Sequence, residues 1–262
     1  MCQNRKITPG KIKYDFFFYF YRWFLHMYLF AAPFSMCILY LAICRYFYNM
    51  NVPENIYSTL DFLLGNDRQS LVSPASAILA LTLVTVQSTK RLYETLFVNV
   101  FSDAKMNITH YFAGFIHYAG LNLAILGESE GFVGDSEVNF ENSLSLLDCL
   151  AALIFLLMSY QQLKSNFILA NLRKNEKGVV VTKEHKIPTG GYFEYISNPL
   201  QFTEIVMYAM LQIVLRNSST YSYIYMWVLV NQFVTGLLSH QWYKKNFKDY
   251  PPSRKIIVPY LL

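Results

Sequence analysis

The sequence predicts an all-α fold, a polytopic membrane helix bundle of six to seven transmembrane helices. Three observations lead there. Of 262 residues, 54% are hydrophobic, 17% aromatic and only 15% charged, a balance too apolar for an ordinary water-soluble domain. Several apolar runs are long enough to cross a bilayer. The basic residues alternate in density from one connection to the next, as they do in chains threaded through a membrane.

The first run is WFLHMYLFAAPFSMCILYLAIC, 22 residues between Arg22 and Arg45 without Asp, Glu, Lys or Arg. As a helix it reaches roughly 33 Å, enough for a hydrocarbon core of about 30 Å. Pro33 falls inside it and is a candidate kink. Arg5, Lys6, Lys11 and Lys13 precede the run, which is too long for a signal-peptide core and has no small-x-small cleavage site, so it reads as a retained helix. Further spans are expected at 71–87, 111–127, 144–160, 202–215 and 221–238, giving six. Pro53–Gly65 is a candidate short seventh. The segment from Arg91 to Asp103 mixes aromatic and charged residues and either extends a long helix or lies at the interface.

With six spans, five Lys and Arg residues precede the first helix, three fall in 88–110, six in 161–201 and five after Leu238. The opposite side receives only Arg45, Arg68 and Arg216, and its 127–142 loop carries Glu128, Glu130, Asp135, Glu137 and Glu141 with no base. The 161–201 loop and the C-terminus are therefore expected in the cytosol. No repeat or linker divides the chain, so residues 1–262 read as one domain. Cys2, Cys37, Cys44 and Cys149 are scattered without metal-ligand spacing, which argues against structural zinc and a disulfide framework; no metal is expected.

Chemistry concentrates in the last hundred residues. The 161–201 loop holds Arg173, Lys174, Lys177, Lys183 and Lys186 before Gly190-Gly191 and a run of aromatics. Cations, a glycine turn and ring faces suit a phosphorylated nucleotide; charge alone favours the plainer alternative, a loop resting on anionic headgroups. No GxGxxG or P-loop pattern is present. Glu204, near the start of one apolar segment, suits a helix cap, and His240 an interfacial histidine. Together with Tyr195, Asn198, Tyr243 and the basic Arg254-Lys255 tail they point to one shared polar pocket.

The order ILANLRKN, KIPTGGYFEYISNP, a glutamate shortly after, then HQWYKKNFKDYPPSRKIIVPYLL resembles the steroid 5-alpha-reductase family of membrane NADPH-dependent reductases. Within it the pattern is most similar to the polyprenol (polyprenal) reductase branch, which also carries sequence like KRLYETLFVNVFS. The resemblance covers roughly 87–103 and 161–262. It implies an NADPH site in about 161–262, formed by Asn166, Arg173, Lys186, Tyr195, Asn198, Glu204, His240 and Tyr243. Asn166 stands where steroid-reducing members have Asp, and Leu200 where many have Asn. Those members place a carbonyl-polarising Tyr three positions before the arginine matching Arg91; here Ser88 occupies that position, beside Gln87. Glu54 and Tyr93 are then the candidate catalytic residues, Glu54 by its distance upstream and Tyr93 by proximity.

The resemblance implies reduction of the alpha-isoprene double bond of polyprenal to dolichal, toward dolichol and protein N-glycosylation, by a multi-pass enzyme of the endoplasmic reticulum membrane with a cytosolic C-terminus. Hydride goes to the beta carbon and a proton to the alpha carbon. A 3-oxo-5-alpha-steroid 4-dehydrogenase and a trans-2-enoyl-CoA reductase are alternatives of the same fold. A non-catalytic lipid-binding or transport protein is the alternative of another class. The expected partners are a polyisoprenoid lipid and the bilayer, with no nucleic acid and no obligate protein partner.

Overall fold

The computed structural model describes residues 23–101, 108–134, 138 and 144–260. The described residues form seven α-helices: α1 (Trp23–Phe47), α2 (Glu54–Leu64), α3 (Pro74–Tyr93), α4 (Ile108–Gly127), α5 (Leu146–Asn171), α6 (Pro199–Val214) and α7 (Ser219–Asn246). A π-helical turn, Glu94–Val98, continues α3, and a 3-10 turn, Gly191–Glu194, precedes α6. Pairing is mainly α5 along α6, α1 along α3 and α4, and α6 along α7, with α3 touching four of the other helices.

The helix starts follow local chemistry. Ser73 caps α3 by accepting the Ser76 N–H at 3.3 Å, with Pro74 in the first turn where its missing N–H is harmless. Ser145 and Asp148 form a reciprocal capping box at α5. Ser218 caps α7 through the Tyr221 N–H at 3.1 Å. Helix α1 runs unbroken through Pro33.

Each expected span overlaps a helix, but α3 and α7 run past the expected ends, to Tyr93 and Asn246, and two further differences bear on the site. Helix α5 continues 11 residues beyond Tyr160 to Asn171, so the start of the expected 161–201 loop is helical. Its buried positions there, Gln162, Ser165 and Asn166, lie on the face turned to α3 and the interior. Pro53–Gly65 yields α2, whose 11 residues reach about 16 Å and fall short of a hydrocarbon core. Two helical stretches, Phe24–Phe47 and Leu146–Asn171, are long and apolar enough to cross a membrane, and Pro199–Val214 is a shorter apolar helix.

Polarity is inverted relative to a water-soluble bundle. Helix α5 exposes Leu146, Leu150, Leu153 and Leu157 while burying Ser159, Gln162, Ser165 and Asn166. The apolar core sits toward one end, where Leu81 and Val84 of α3 meet Leu121 and Ile125 of α4, Phe155 of α5, Met207 and Leu211 of α6, and Tyr221 of α7.

That end is closed by the loop after α4. Arg68 donates to the Gly127 and Phe132 carbonyls, each at 2.8 Å, and pairs with Asp61. Arg45 donates to the Gly131 carbonyl at 3.3 Å, and Arg216 pairs with Asp148 at 2.6 Å. Glu128 accepts the Ser218 and Ser219 hydroxyls and both the N–H and hydroxyl of Thr220, joining the loop to the start of α7. Burial alone would raise the Glu128 carboxyl; these hydrogen bonds outweigh it and hold the group below its ordinary value. The three arginines of the sparsely basic side therefore gather at one end, with Arg173 and Lys186 at the other.

Candidate active site

Two adjoining cavities open between the helices. The larger, about 870 Å³, lies among α1, α3, α4, α5, α6 and α7. The smaller, about 350 Å³, lies toward the basic end, between the π-helical turn, the end of α5, residues 184–186 and Tyr243. Phe24, Tyr28, Arg91 and Leu200 line both, so the two spaces meet at these residues.

Helix α3 supplies the polar spine, because Gln87, Lys90, Arg91 and Glu94 recur at the spacing of one helical face. Arg91 donates through Nη1 to Glu94 at 2.6 Å, and through Nε and Nη2 to the Tyr28 hydroxyl at 3.1 and 3.0 Å. Lys90 lies 3.2 Å from Glu94 and donates to Gln162 Oε1 at 2.6 Å and the Ser159 carbonyl at 3.1 Å. Gln87 donates to Gln162 at 2.8 Å and accepts from Ser159 at 2.7 Å. Gln162 in turn donates to Glu204 at 2.5 Å. Two cations, Lys90 and Arg91, thus face two carboxylates, Glu94 and Glu204, in one balanced network across α3, α5 and α6. That balance is what allows so much charge indoors.

Cations outnumber carboxylates around the smaller cavity, with Arg91, Arg173 and Lys186 against Glu184. Arg173 donates to the Val100 carbonyl, and Asn166, which is 5% exposed, lines the same space. Asn166 Nδ2 is buried with no hydrogen-bond partner among the described residues. His185 sits beside them, edge-on to Trp242 at 5.0 Å. Burial, and secondarily the charge of Arg173, lowers its basicity.

Five of the residues expected at a cofactor site line these cavities: Asn166, Arg173, Lys186 and Tyr243 the smaller one, and Glu204 the larger. Three line neither. His240 Nδ1 bonds the Ser197 hydroxyl at 2.6 Å, and Ser197 bonds Tyr250 at 2.5 Å. Asn198 donates to the Gly236 carbonyl at 2.8 Å and the Ile256 carbonyl at 2.9 Å. Tyr195, nearly half exposed, packs on Tyr260 at 5.5 Å. These three form a clasp that holds the C-terminal segment against α6 and α7, with Tyr243 stacked on Tyr250 as its inner edge. Gly236 matters to the closeness, since a Cβ there would lie 2.6 Å from Ile257 Cδ1.

The two expected catalytic residues are placed elsewhere. Glu54 is the exposed first residue of α2, a helix that packs on α4 with its last residue, Leu64, beside Gly127 at the other end of the bundle. Tyr93 is 47% exposed and packs on Phe97 at 5.4 Å. Neither lines a cavity, because the short α2 stays at that far end and Tyr93 points off the outer face of α3. Ser88 is fully buried, 3.4 Å from Ser35, and lines neither of the two cavities. Tyr28, Glu94, Gln162 and the buried pair His117–Tyr208 (2.6 Å) are the residues that sequence reasoning missed. The polar positions 87, 90, 91 and 94 on one helical face were the available signal; nothing local marks Tyr28 as the partner of Arg91.

Comparison with known proteins gives the family of the chain. The family described as 3-oxo-5-alpha-steroid 4-dehydrogenase matches residues 104–262. The chain is 36% identical over 246 residues to a polyprenal reductase of Drosophila melanogaster, covering 92% of this chain and 76% of that protein. It is 32% identical over 250 residues to the Caenorhabditis elegans polyprenal reductase (92% and 79%) and 30% over 244 residues to that of Homo sapiens (92% and 77%). The chain belongs to the 3-oxo-5-alpha-steroid 4-dehydrogenase (steroid 5-alpha-reductase) family, on its polyprenal reductase branch.

Proposed function

We propose that the chain is a polyprenal reductase: it uses NADPH to saturate the alpha-isoprene double bond of polyprenal, giving dolichal for dolichol synthesis and hence protein N-glycosylation. The observation that carries this reading is the pair of joined cavities, one rich in cations and opening near the basic end, one large and lined by aromatic and apolar side chains such as Met27, Tyr118 and Trp227 beside polar ones such as His117, Glu204 and Asn231. A phosphorylated cofactor and a lipid aldehyde require such a pair.

NADPH fits the smaller cavity through Arg173 and Lys186 toward its phosphates, the orphaned Asn166 amide, and the Tyr243 ring. Glu204, held by Gln162 where the larger cavity begins, offers an acceptor for an amide N–H. Tyr195, Asn198 and His240 keep Tyr243 and the tail in place. When bound, the cofactor supplies the hydride. The chain's residues orient the enal, exclude water behind the Leu121–Leu211 core, and hold a balanced set of charges around the reacting carbonyl.

The exposed leucines of α5, the two long apolar helices and the inward polar network support a bilayer location, with α1 and α3 to α7 as six spans and α2 lying across one end. Segregation of Arg45, Arg68 and Arg216 to that end supports a cytosolic position for the opposite, basic end and the C-terminus, where NADPH is available. The endoplasmic reticulum membrane is the site this chemistry implies.

Incubating purified protein and NADPH separately with polyprenal, testosterone and a 2-enoyl-CoA tests the reading. Mass spectrometry should show a gain of about two daltons, one hydride plus one proton, on the polyprenal alone. Reduction of testosterone only would reject it.

A further inference from the structure

We propose that Tyr28, held by Arg91, is the hydrogen-bond donor that polarises the substrate carbonyl. The inference rests on the reductase reading above and adds the identity of its acid.

Four residues line both cavities, and of these only Tyr28 and Arg91 are polar. Where the cationic space meets the apolar one is where a cofactor's reacting end and a lipid's aldehyde end must come together. The Tyr28 oxygen accepts two hydrogen bonds from Arg91, at 3.1 and 3.0 Å, which occupy both its lone pairs. Its own hydrogen is the one valence left, and with Arg91 on the acceptor side of the oxygen it is directed to what enters the junction. Arg91 is itself fixed by Glu94 at 2.6 Å and lies 5.1 Å from the Tyr28 ring centre, so the pair is rigid before substrate arrives. The ring is further braced edge-on by Tyr118 at 5.7 Å.

The competing groups are less well placed. Glu204 is engaged by Gln162 and, ionised, can only accept. His117 is engaged with Tyr208 and lines the larger cavity alone. Ser88 lines neither cavity.

The electron count closes with the reaction proposed above. Hydride from NADPH forms the bond at the beta carbon, the carbon–carbon π pair moves to join the alpha carbon to the carbonyl carbon, and the carbonyl π pair moves to oxygen. That oxygen takes the Tyr28 hydrogen bond and then its proton, giving an enol, while the Arg91 charge stabilises the tyrosinate left behind. The alpha carbon then takes a proton drawn from the bulk medium, consumed together with the hydride, as the enol proton returns to Tyr28, leaving a saturated aldehyde.

The experiment is Tyr28→Phe in the full chain, with the exposed Tyr223→Phe beside it as a control. Single-turnover hydride transfer to polyprenal should slow by about 100-fold or more, the effect of removing one oxyanion donor, whereas NADPH affinity by fluorescence titration stays unchanged and the melting temperature falls by only a few degrees, because two Arg91 N–H groups lose their acceptor. Tyr223→Phe should keep the rate. Genetic incorporation of 3,5-difluorotyrosine at position 28 keeps the shape and makes the phenol more acidic. The alkaline limb of the kcat profile should then move to lower pH, which a purely structural tyrosine would not cause, and this measurement decides the matter if the Phe variant fails to fold. A Tyr28→Phe rate within about threefold of the unsubstituted protein, or an unmoved limb, overturns the assignment of Tyr28 alone. Failure of the unsubstituted protein to reduce polyprenal overturns the reductase reading as well.

Discussion

Glu94 is the residue on which the buried charge balance turns, and its removal should be felt in stability before anything else. Its side chain is completely buried, 2.6 Å from Arg91 and 3.2 Å from Lys90. Replacing it leaves two cations facing Glu204 alone. Breaking a buried ion pair from one side costs about 3–5 kcal/mol, because the partner charge stays behind uncompensated. Two features pull Glu94→Gln toward the lower figure. The amide oxygen still accepts from Arg91, and both cations keep other partners: Tyr28 for Arg91, Gln162 and the Ser159 carbonyl for Lys90. Glu94→Ala loses that acceptor and should approach the upper figure. In a domain of this size each kcal/mol moves the melting temperature by about 2–4 °C, so the glutamine variant should melt at least about 6 °C lower and the alanine variant lower still. Thermal unfolding of detergent-solubilised protein, followed by loss of monodisperse material, measures this. A glutamine variant melting within about 2 °C of the parent would refute the premise that Glu94 compensates two buried cations.

Three further outcomes follow from the same geometry. Arg173→Ala removes a charge-assisted contact and should weaken NADPH binding by about 10- to 100-fold in fluorescence titration, with little change in melting temperature. Glu128 has its carboxyl held below the ordinary value of 4.5, so its contribution to stability is complete above that value and is lost as pH falls through its lower folded value. The melting temperature should therefore drop as the medium is acidified below that range, and Glu128→Gln should start lower at neutral pH and flatten the acid slope. Glu54→Gln and Tyr93→Phe, both on exposed positions, should leave turnover and NADPH affinity unchanged; a large loss in either would place the substrate outside the cavities described here.

The sequence carried the architecture further than the site. Apolar runs at 202–215 and 221–238 located α6 and α7 to within a few residues at their starts, because each helix begins where a polar stretch gives way to a continuous apolar one. The end of α5 was missed because its last three turns, QQLKSNFILAN, are polar enough to read as a loop. Only the discovery that Gln162 and Asn166 face α3 and the cavity explains why those turns stay helical. Ordered motifs along the chain led directly to Arg173, Lys186 and Tyr243, which line the smaller cavity. The same motifs led to His240 and Asn198, but could not distinguish a side chain that lines a cavity from one that fastens the tail behind it.

By itself, the sequence determined the all-helical architecture, the membership of a reductase family and the basic end of the bundle. These rest on composition, periodicity and local motifs, which need no knowledge of what packs on what. Only the tertiary structure decided which polar side chains meet at the cavities. It set Glu54 at the far end and Tyr93 on the outside, buried Ser88, and brought Tyr28 of α1 onto Arg91 of α3, 63 positions away. The physical reason is that a charge buried between helices must find its partner across helices, and such a pair leaves no periodic or local trace in either segment.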